Sequence, residues 1–411
     1  MKLAMNLAIV ACGIAVVVTG CSSTTTDSEG SSRVQVSPNG TLMAYLWDSR
    51  SFAHFGPEPV AIRQEVSICW CAADTPGKVK SAKVATWGRD KSGYSLFGQT
   101  HFAFSPDASR LAIVYPAGLM FVETATGKTR RHKLDENEIV ASLAWLDNGT
   151  VGYSSYRHTK AESAVHVERT IWRQDVNVDI AGREVILYDR RIDYYVPTLL
   201  DVGDGWPLEF WSPDGRFVLM AGADEKAEAQ LLSVGDKTVH KLAGKGYLKS
   251  ATWAQDGSRV LWYAGVEGQH NAYLYSIAEK DSKDLTDQWR KLFGTSKPGF
   301  ELLWTPDNRF VAGSNLAIRG YLLCPDPWEV RLIGEKFRKP GDAVAPSLRS
   351  QAVPDMLVVD MAPDELIVDY TGRPVKNLGQ EGGMSGWTVL PGGKKAVSVG
   401  PGNQLTVKAL E

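Results

Sequence analysis

LEFWSPDGRFVLMAG, residues 208–222, runs as a short apolar stretch ending in Trp211, breaks at Ser212-Pro213-Asp214-Gly215, and resumes as a second apolar stretch. Ser suits the first position of a type I turn, Pro presets φ at the second, Asp bonds the local backbone, and Gly accepts the last. Two extended runs joined in this way make an antiparallel hairpin. Six further stretches share the pattern: VQVSPNGTLMAYLW from Val34, FAFSPDASRLAIVY from Phe102, SLAWLDNGTVGYSS from Ser142, SATWAQDGSRVLWYAG from Ser250, ELLWTPDNRFVAGS from Glu301 and GWTVLPGGKKAVSVG from Gly386.

Several copies carry a second strand pair around a weaker turn, as in MFVETATGKTRRHKL from Met120, LLSVGDKTVHKL from Leu231 and LIVDYTGRPVKNL from Leu366. The unit therefore reads strand–SPDG–strand–loop–strand–TGK–strand, one four-stranded antiparallel sheet. The turn residues Asn39, Asp107, Asp147, Asp214, Asp256, Asp307 and Gly392 are 68, 40, 67, 42, 51 and 85 residues apart. The short intervals match the period of one propeller blade, about 40–50 residues. The long ones imply insertions or a blade with a decayed turn, for which Met361-Ala362-Pro363-Asp364 is the candidate. An all-β propeller over residues 33–411 is expected, with seven blades and eight as the alternative. The period of two inside each unit, rich in β-branched and aromatic residues, excludes helical solenoids.

This repeat resembles the WD40-like, TolB-like β-propeller repeats, which also occur in prolyl-oligopeptidase and dipeptidyl-peptidase enzymes. The resemblance implies fold. Its motif residues make turns and core, so Trp145, Trp211, Trp253 and Trp304 are expected in packing between blades. The peptidase relatives add a hydrolase domain with Gly-x-Ser-x-Gly at a nucleophile elbow. The sequence has no such pentapeptide; Gly382-Gly383-Met384-Ser385-Gly386 is out of register.

Residues 1–20, MKLAMNLAIVACGIAVVVTG, carry one cation, Lys2, then an apolar run too short for a spanning helix of about 20 residues. The layout is that of a secretory signal. Val18-Thr19-Gly20-Cys21 resembles the bacterial lipobox, in which the thiol of the cysteine is alkylated by a diacylglycerol. Cys21 is thus the expected lipidation site. Residues 21–32 form a polar tether that cannot bury apolar surface, and Ser22 favours the periplasmic face of the outer membrane by resemblance to lipoprotein sorting. Cys69, Cys71 and Cys324 remain after Cys12 leaves with the signal. Buried thiols are expected; a disulfide involving Cys324 and a soft-metal pair are the alternatives. Cys69 and Cys71, two apart in a strand, point to one face.

Forty-five Lys and Arg against 47 Asp and Glu leave a net charge of -2, with no basic excess for nucleic acid. A composition 44% hydrophobic and 22% charged excludes wholesale disorder and a polytopic membrane protein. No catalytic residue, cofactor or metal set is assigned. The histidines lack His-Glu-x-x-His spacing, and Asp201, Asp204 and Gly205 in LDVGDGWP read as a turn. The expected function is a membrane-anchored scaffold that binds an envelope protein or a glycan through its loop face. A propeller enzyme active at the central channel is the alternative. Segments 48–65, 155–170 and 335–355 are candidate interaction loops, the first with Trp47, Arg50, Phe52, His54 and Phe55.

Overall fold

In the turns around Asn39, Asp107, Asp214 and Asp307 the third residue takes hydrogen bonds from both sides. Asp214 Oδ1 accepts from Ser212 Oγ at 2.7 Å and from the Arg216 backbone N–H at 3.1 Å. Asp107 does the same with Ser105 at 2.7 Å and Ser109 at 3.0 Å. The Gly215 N–H bonds Ser212 O at 2.9 Å, closing the turn with Gly215 at φ +68. Ala108 and Asn308 stand at the same place with φ 61 and 58.

These turns punctuate a computed structural model that describes residues 25–411 apart from 33, 55–58, 89–99, 116–117, 136–137, 161–164, 193–208, 222–227, 246, 267–268, 294–302, 306, 310, 316–318, 334–346, 351–355, 362–363, 372, 380–385 and 411. Sheet 1 holds β1 (Thr25–Ser31), β2 (Gln35–Val36), β3 (Leu42–His54), β4 (Pro59–Ala72) and β5 (Lys80–Gly88). Sheet 2 holds β6 (His101–Phe104), β7 (Arg110–Tyr115), β8 (Gly118–Glu123) and β9 (Thr129–Lys133). Sheet 3 holds β10 (Glu138–Trp145), β11 (Thr150–Lys160), β12 (Val165–Asp175) and β13 (Glu184–Ile192). Sheet 4 holds β14 (Glu209–Trp211), β15 (Phe217–Met220), β16 (Glu228–Ser233) and β17 (Val239–Lys245). Sheet 5 holds β18 (Tyr247–Trp253), β19 (Arg259–Val266), β20 (Gln269–Ser276) and β21 (Asp281–Asp284), followed by the helix α1 (Thr286–Phe293). Sheet 6 holds β22 (Leu303–Trp304), β23 (Val311–Asn315), β24 (Arg319–Pro325) and β25 (Trp328–Ile333). Sheet 7 holds β26 (Ser347–Ser350), β27 (Met356–Met361), β28 (Asp364–Asp369) and β29 (Pro374–Gly379). Sheet 8 holds β30 (Thr388–Val389), β31 (Lys395–Gly400) and β32 (Gln404–Ala409).

Successive sheets pack face to face, which explains why many strands read as continuous apolar runs. On β7, Leu111 and Ile113 pack on Ile68 and Trp70 of sheet 1, while Ala112 and Val114 pack on Tyr153 and Val151 of sheet 3. Both faces of the strand are covered, so neither needs polar residues. The eighth sheet in turn meets the first: Leu390, Val397 and Val399 share one core with Val34, Met43 and Tyr45, and Tyr45 Oη donates to Asn403 Oδ1 at 2.7 Å. This is the arrangement of a β-propeller.

Two expectations change. The eight sheets among the described residues lie within the seven or eight blades expected, with residues 347–379 making a sheet of their own. Met361-Ala362-Pro363-Asp364 is not the decayed first turn of that sheet; Met361 pairs with Asp364 between its second and third strands. The polar stretch taken as a tether up to residue 32 is already a strand from Thr25, paired from Thr25↔Ala53 to Ser31↔Trp47. Strand pairing uses backbone donors and acceptors that small polar residues carry as well as any others.

Candidate functional site

The segment 155–170, one of the candidate interaction loops, is outside residues 161–164 part of two paired strands. Tyr156 pairs with Arg169 and Ser155 with Thr170. Alternation then sends the two faces of β11 and β12 to different neighbours. Arg169, fully buried, faces sheet 4, whereas Glu168, Thr170 and Trp172 face the side of sheet 2.

On the second face a set of charges surrounds a cavity of about 220 Å³. Arg183 donates twice to Glu138, at 2.8 and 3.0 Å, and once to Tyr153 Oη at 3.1 Å. Its guanidinium lies 3.8 Å above the Trp172 ring. Arg157 reaches Asp135 at 2.6 Å and Glu138 at 3.8 Å. Trp172 Nε1 donates to Ser155 Oγ at 2.7 Å, fixing that hydroxyl at the wall. Burial pushes the Tyr153 phenol up to about 12 against the pull of Arg183, so it stays neutral. Toward solvent the cavity ends in Val185 and Tyr188, 43% and 51% exposed. The result is a recess with two guanidinium and two carboxylate groups, hydroxyls of Ser155 and Thr170, and an accessible tyrosine ring. Such a surface offers fixed donors and acceptors without a net charge, which suits a hydroxyl-rich ligand.

The opposite face is wholly structural. Arg169 reaches Glu209 at 3.3 Å, Asp189 Oδ1 at 3.0 Å and the carbonyl of Ala221 at 3.3 Å. Ser154 Oγ donates to Glu209 at 2.8 Å, and the Tyr156 hydroxyl donates to the same carboxylate. This network joins sheets 3 and 4, so removing residues 155–170 takes out a charged keystone and not a loop.

Other sequence candidates fall as follows. Each of the four tryptophans ties its sheet to the one before: Trp145 Nε1 donates to Ala103 O at 3.0 Å, Trp211 to Ser142 Oγ at 2.9 Å, Trp253 to Phe210 O at 2.9 Å and Trp304 to Thr252 O at 2.9 Å. Cys69 and Cys71 are buried free thiols on one face, in the core shared with sheet 8, and Cys324 is free and half-buried. Burial pushes the Cys71 thiol up to about 11. His132 is a core histidine, its ring edge-on to Phe121 with centroids 5.4 Å apart. In segment 48–65, itself mostly β3 and β4, Trp47 is buried and Arg50 Nε holds Asp48 at 2.5 Å. Phe55, the side chain of His54, Cys21, Asp201, Asp204, Gly205 and residues 334–346 lie outside the described residues. Among the described residues, no three His, Cys, Asp or Glu stand close enough to hold a metal. Glu138, Arg183, Arg169 and Glu209 escaped the sequence reading; the alternation Glu168-x-Thr170-x-Trp172 was its one available signal.

No protein-family model and no curated protein matches the chain. Solved structures similar to it include the acylaminoacyl peptidase of Pyrococcus horikoshii, 13% identical with a TM-score of 0.49 over 85% of this chain and 52% of that one. The chain thus spans about half the length of that peptidase. An oligogalacturonate lyase in complex with manganese is 13% identical, with a TM-score of 0.49 over 93% of this chain and 89% of that one. TolB from Acinetobacter baumannii is 14% identical, with a TM-score of 0.35 over 76% of this chain and 75% of that one.

Proposed function

We propose that the protein is a lipid-anchored scaffold of the cell envelope, an eight-bladed propeller that binds a glycan at the recess of sheet 3. Residues 1–20 act as the signal, Cys21 carries the lipid, and the short polar segment before Thr25 holds the propeller close to the periplasmic face of the outer membrane. The observation that supports the binding role is the 220 Å³ recess with Tyr188 half exposed at its mouth. The tryptophans and the Arg169 network are consumed in joining sheets, whereas Arg157, Val185 and Tyr188 leave the recess open to solvent.

The test uses the full mature protein. Titration with soluble envelope oligosaccharides should saturate, and Tyr188→Ala should weaken binding about tenfold with the melting temperature unchanged, since the ring is exposed. Binding that ignores Tyr188→Ala and Thr170→Val, or capture of an envelope protein in place of any oligosaccharide, overturns the glycan reading. Intact mass of the membrane-extracted protein should show a diacyl or triacyl adduct on Cys21, lost in Cys21→Ser. A wild-type protein released without lipid overturns the anchor.

A further inference from the structure

The first strand fixes where the chain leaves the propeller. β1 pairs along the distal half of β3, from Ser31↔Trp47 to Thr25↔Ala53. It is held on both sides: Ser32 Oγ accepts from the Leu46 N–H at 2.8 Å, and Glu29 accepts from the Gly402 N–H of sheet 8 at 2.7 Å. The stem beside it is tied by Asp48, a buried carboxylate that takes bonds from Arg50 at 2.5 Å and from Gln64 of β4 at 2.8 Å. Because β1 runs antiparallel to β3, the chain traced back from Thr25 toward Cys21 heads the same way as β3 does toward its end at His54.

That end projects from the disc. β3 has 13 residues and β4 has 14, whereas β7 and β8 of sheet 2 and β31 and β32 of sheet 8 have 6 each. β3, β7 and β31 all start beside their first turns, so the extra length lies at the opposite face. At about 3.4 Å per residue it carries the hairpin about 20–25 Å past its neighbours. The paired positions there are Phe52↔Ala61, Ala53↔Val60 and His54↔Pro59, with Ile62 next in the chain, so the residue types are apolar except for His54. The cations of the stem are matched: Arg63 and Lys83 meet Glu65 at 3.1 and 2.8 Å, and Arg50 meets Asp48.

Four residue steps separate Cys21 from Thr25, and a chain spans at most about 3.6 Å per residue, so the two lie within about 14 Å of each other. We infer that the distal end of the β3–β4 hairpin rests on the phospholipid surface, which turns this face of the propeller toward the membrane. The inference rests on the lipid at Cys21 proposed above and adds an orientation to it. The reach of the tether is shorter than the projection, so the hairpin arrives at the bilayer before the ends of sheets 2 and 8. An apolar element enters the headgroup layer by about 5–10 Å, and burial of its side chains supplies the attraction. With the stem cations already matched, the contact needs no anionic lipid.

The test uses the full lipidated protein with Cys324→Ser, inserted in phosphatidylcholine vesicles and spin-labelled at Val60→Cys, His54→Cys or Gly77→Cys. Gly77 follows β4 at the other end of sheet 1, where a Cβ meets nothing within 4 Å. Cys69 and Cys71 are buried and stay unlabelled. The ratio of collisions with oxygen, which partitions into lipid, to collisions with a water-soluble nickel chelate should be at least threefold higher at positions 60 and 54 than at 77. Replacing about a fifth of the lipid with phosphatidylglycerol should change it less than twofold. Two hairpin positions keep the test valid if one substitution disturbs folding. Equal ratios at all three positions overturn the inference, and so do hairpin labels shielded from both reagents, which would mean that protein covers the hairpin. Intact mass of the same sample separates the two readings. An acyl adduct on Cys21 with hairpin labels in water sinks the membrane contact alone, whereas a missing adduct removes the anchor and the contact with it.

Discussion

Gly215 shows why a turn glycine is fixed by its neighbours as well as by its own backbone. At φ +68 a side chain is strained, and a Cβ there would stand 2.6 Å from the Trp145 carbonyl of the preceding sheet. Gly215→Val should therefore destabilise by about 1–3 kcal/mol from backbone strain alone. Thermal melting checks this, and unchanged melting would mean the turn is free to move away from sheet 3. Arg169 belongs to the same scale. A fully buried guanidinium whose partners are Glu209 and Asp189 leaves those carboxylates uncompensated when it is removed. Arg169→Ala should cost about 3–5 kcal/mol, while Arg169→Met with Glu209→Leu should recover part of the loss. A double variant as unstable as the single one would show that Asp189 and the packing shape, and not the buried pair, dominate.

Among the elements, the hairpin turns carry charge that matters to stability. Burial raises the Asp107 carboxyl, but hydrogen bonds from Ser105 and Ser109 outweigh it and hold the group below its usual range. Asp256 and Asp369 are lowered in the same manner, and bonds from Ser233 and Thr238 bring Asp236 down to about 2. A carboxyl whose folded value lies below the unfolded value, about 3.9, contributes stability above that pH and loses it as pH falls through the folded value. Melting temperature should thus decline between about pH 4 and pH 2, and Asp107→Asn should flatten part of that decline. A melting curve flat from pH 7 to 2 would contradict the turn chemistry. These turns were legible because Ser, Pro, Asp and Gly each have a local reason to occupy one turn position. The β11–β12 hairpin was not, because the charged residues of its distal end, among them Arg157, Lys160, Glu168 and Arg169, masked the strand pattern.

For the whole molecule, the decisive contact joins the ends of the chain. Sheet 8 covers Met43, Tyr45, Cys69 and Cys71 of sheet 1, all within 3% exposure. Removing residues 387–411 would open this apolar face, with burial worth about 1.5–3 kcal/mol for each large side chain. Such a truncated protein should bind a hydrophobic dye and melt at lower temperature or without cooperativity. If it melted like the full chain without dye binding, the contact between first and last sheets would be dispensable.

Strand, turn and sheet unit were written locally: a Ser212-Pro213-Asp214-Gly215 turn closes on itself, and a period of two needs only adjacent residues. The same locality gave the tryptophans their packing role, since each ends a first strand beside its turn. Charge partners are another matter. Glu138 and Arg183 lie 45 residues apart, and Glu209 and Arg169 lie 40 apart across two sheets. No pattern in the chain announces them, because the first pair meets across one face of a four-stranded sheet and the second across the stacking of sheet 4 on sheet 3. The number of sheets follows the same logic, as residues 347–379 pair into a sheet whose sequence carries no Ser-Pro-Asp-Gly stretch between its first two strands. Backbone geometry is set by near neighbours, whereas recesses and buried charges arise only where distant strands are brought face to face.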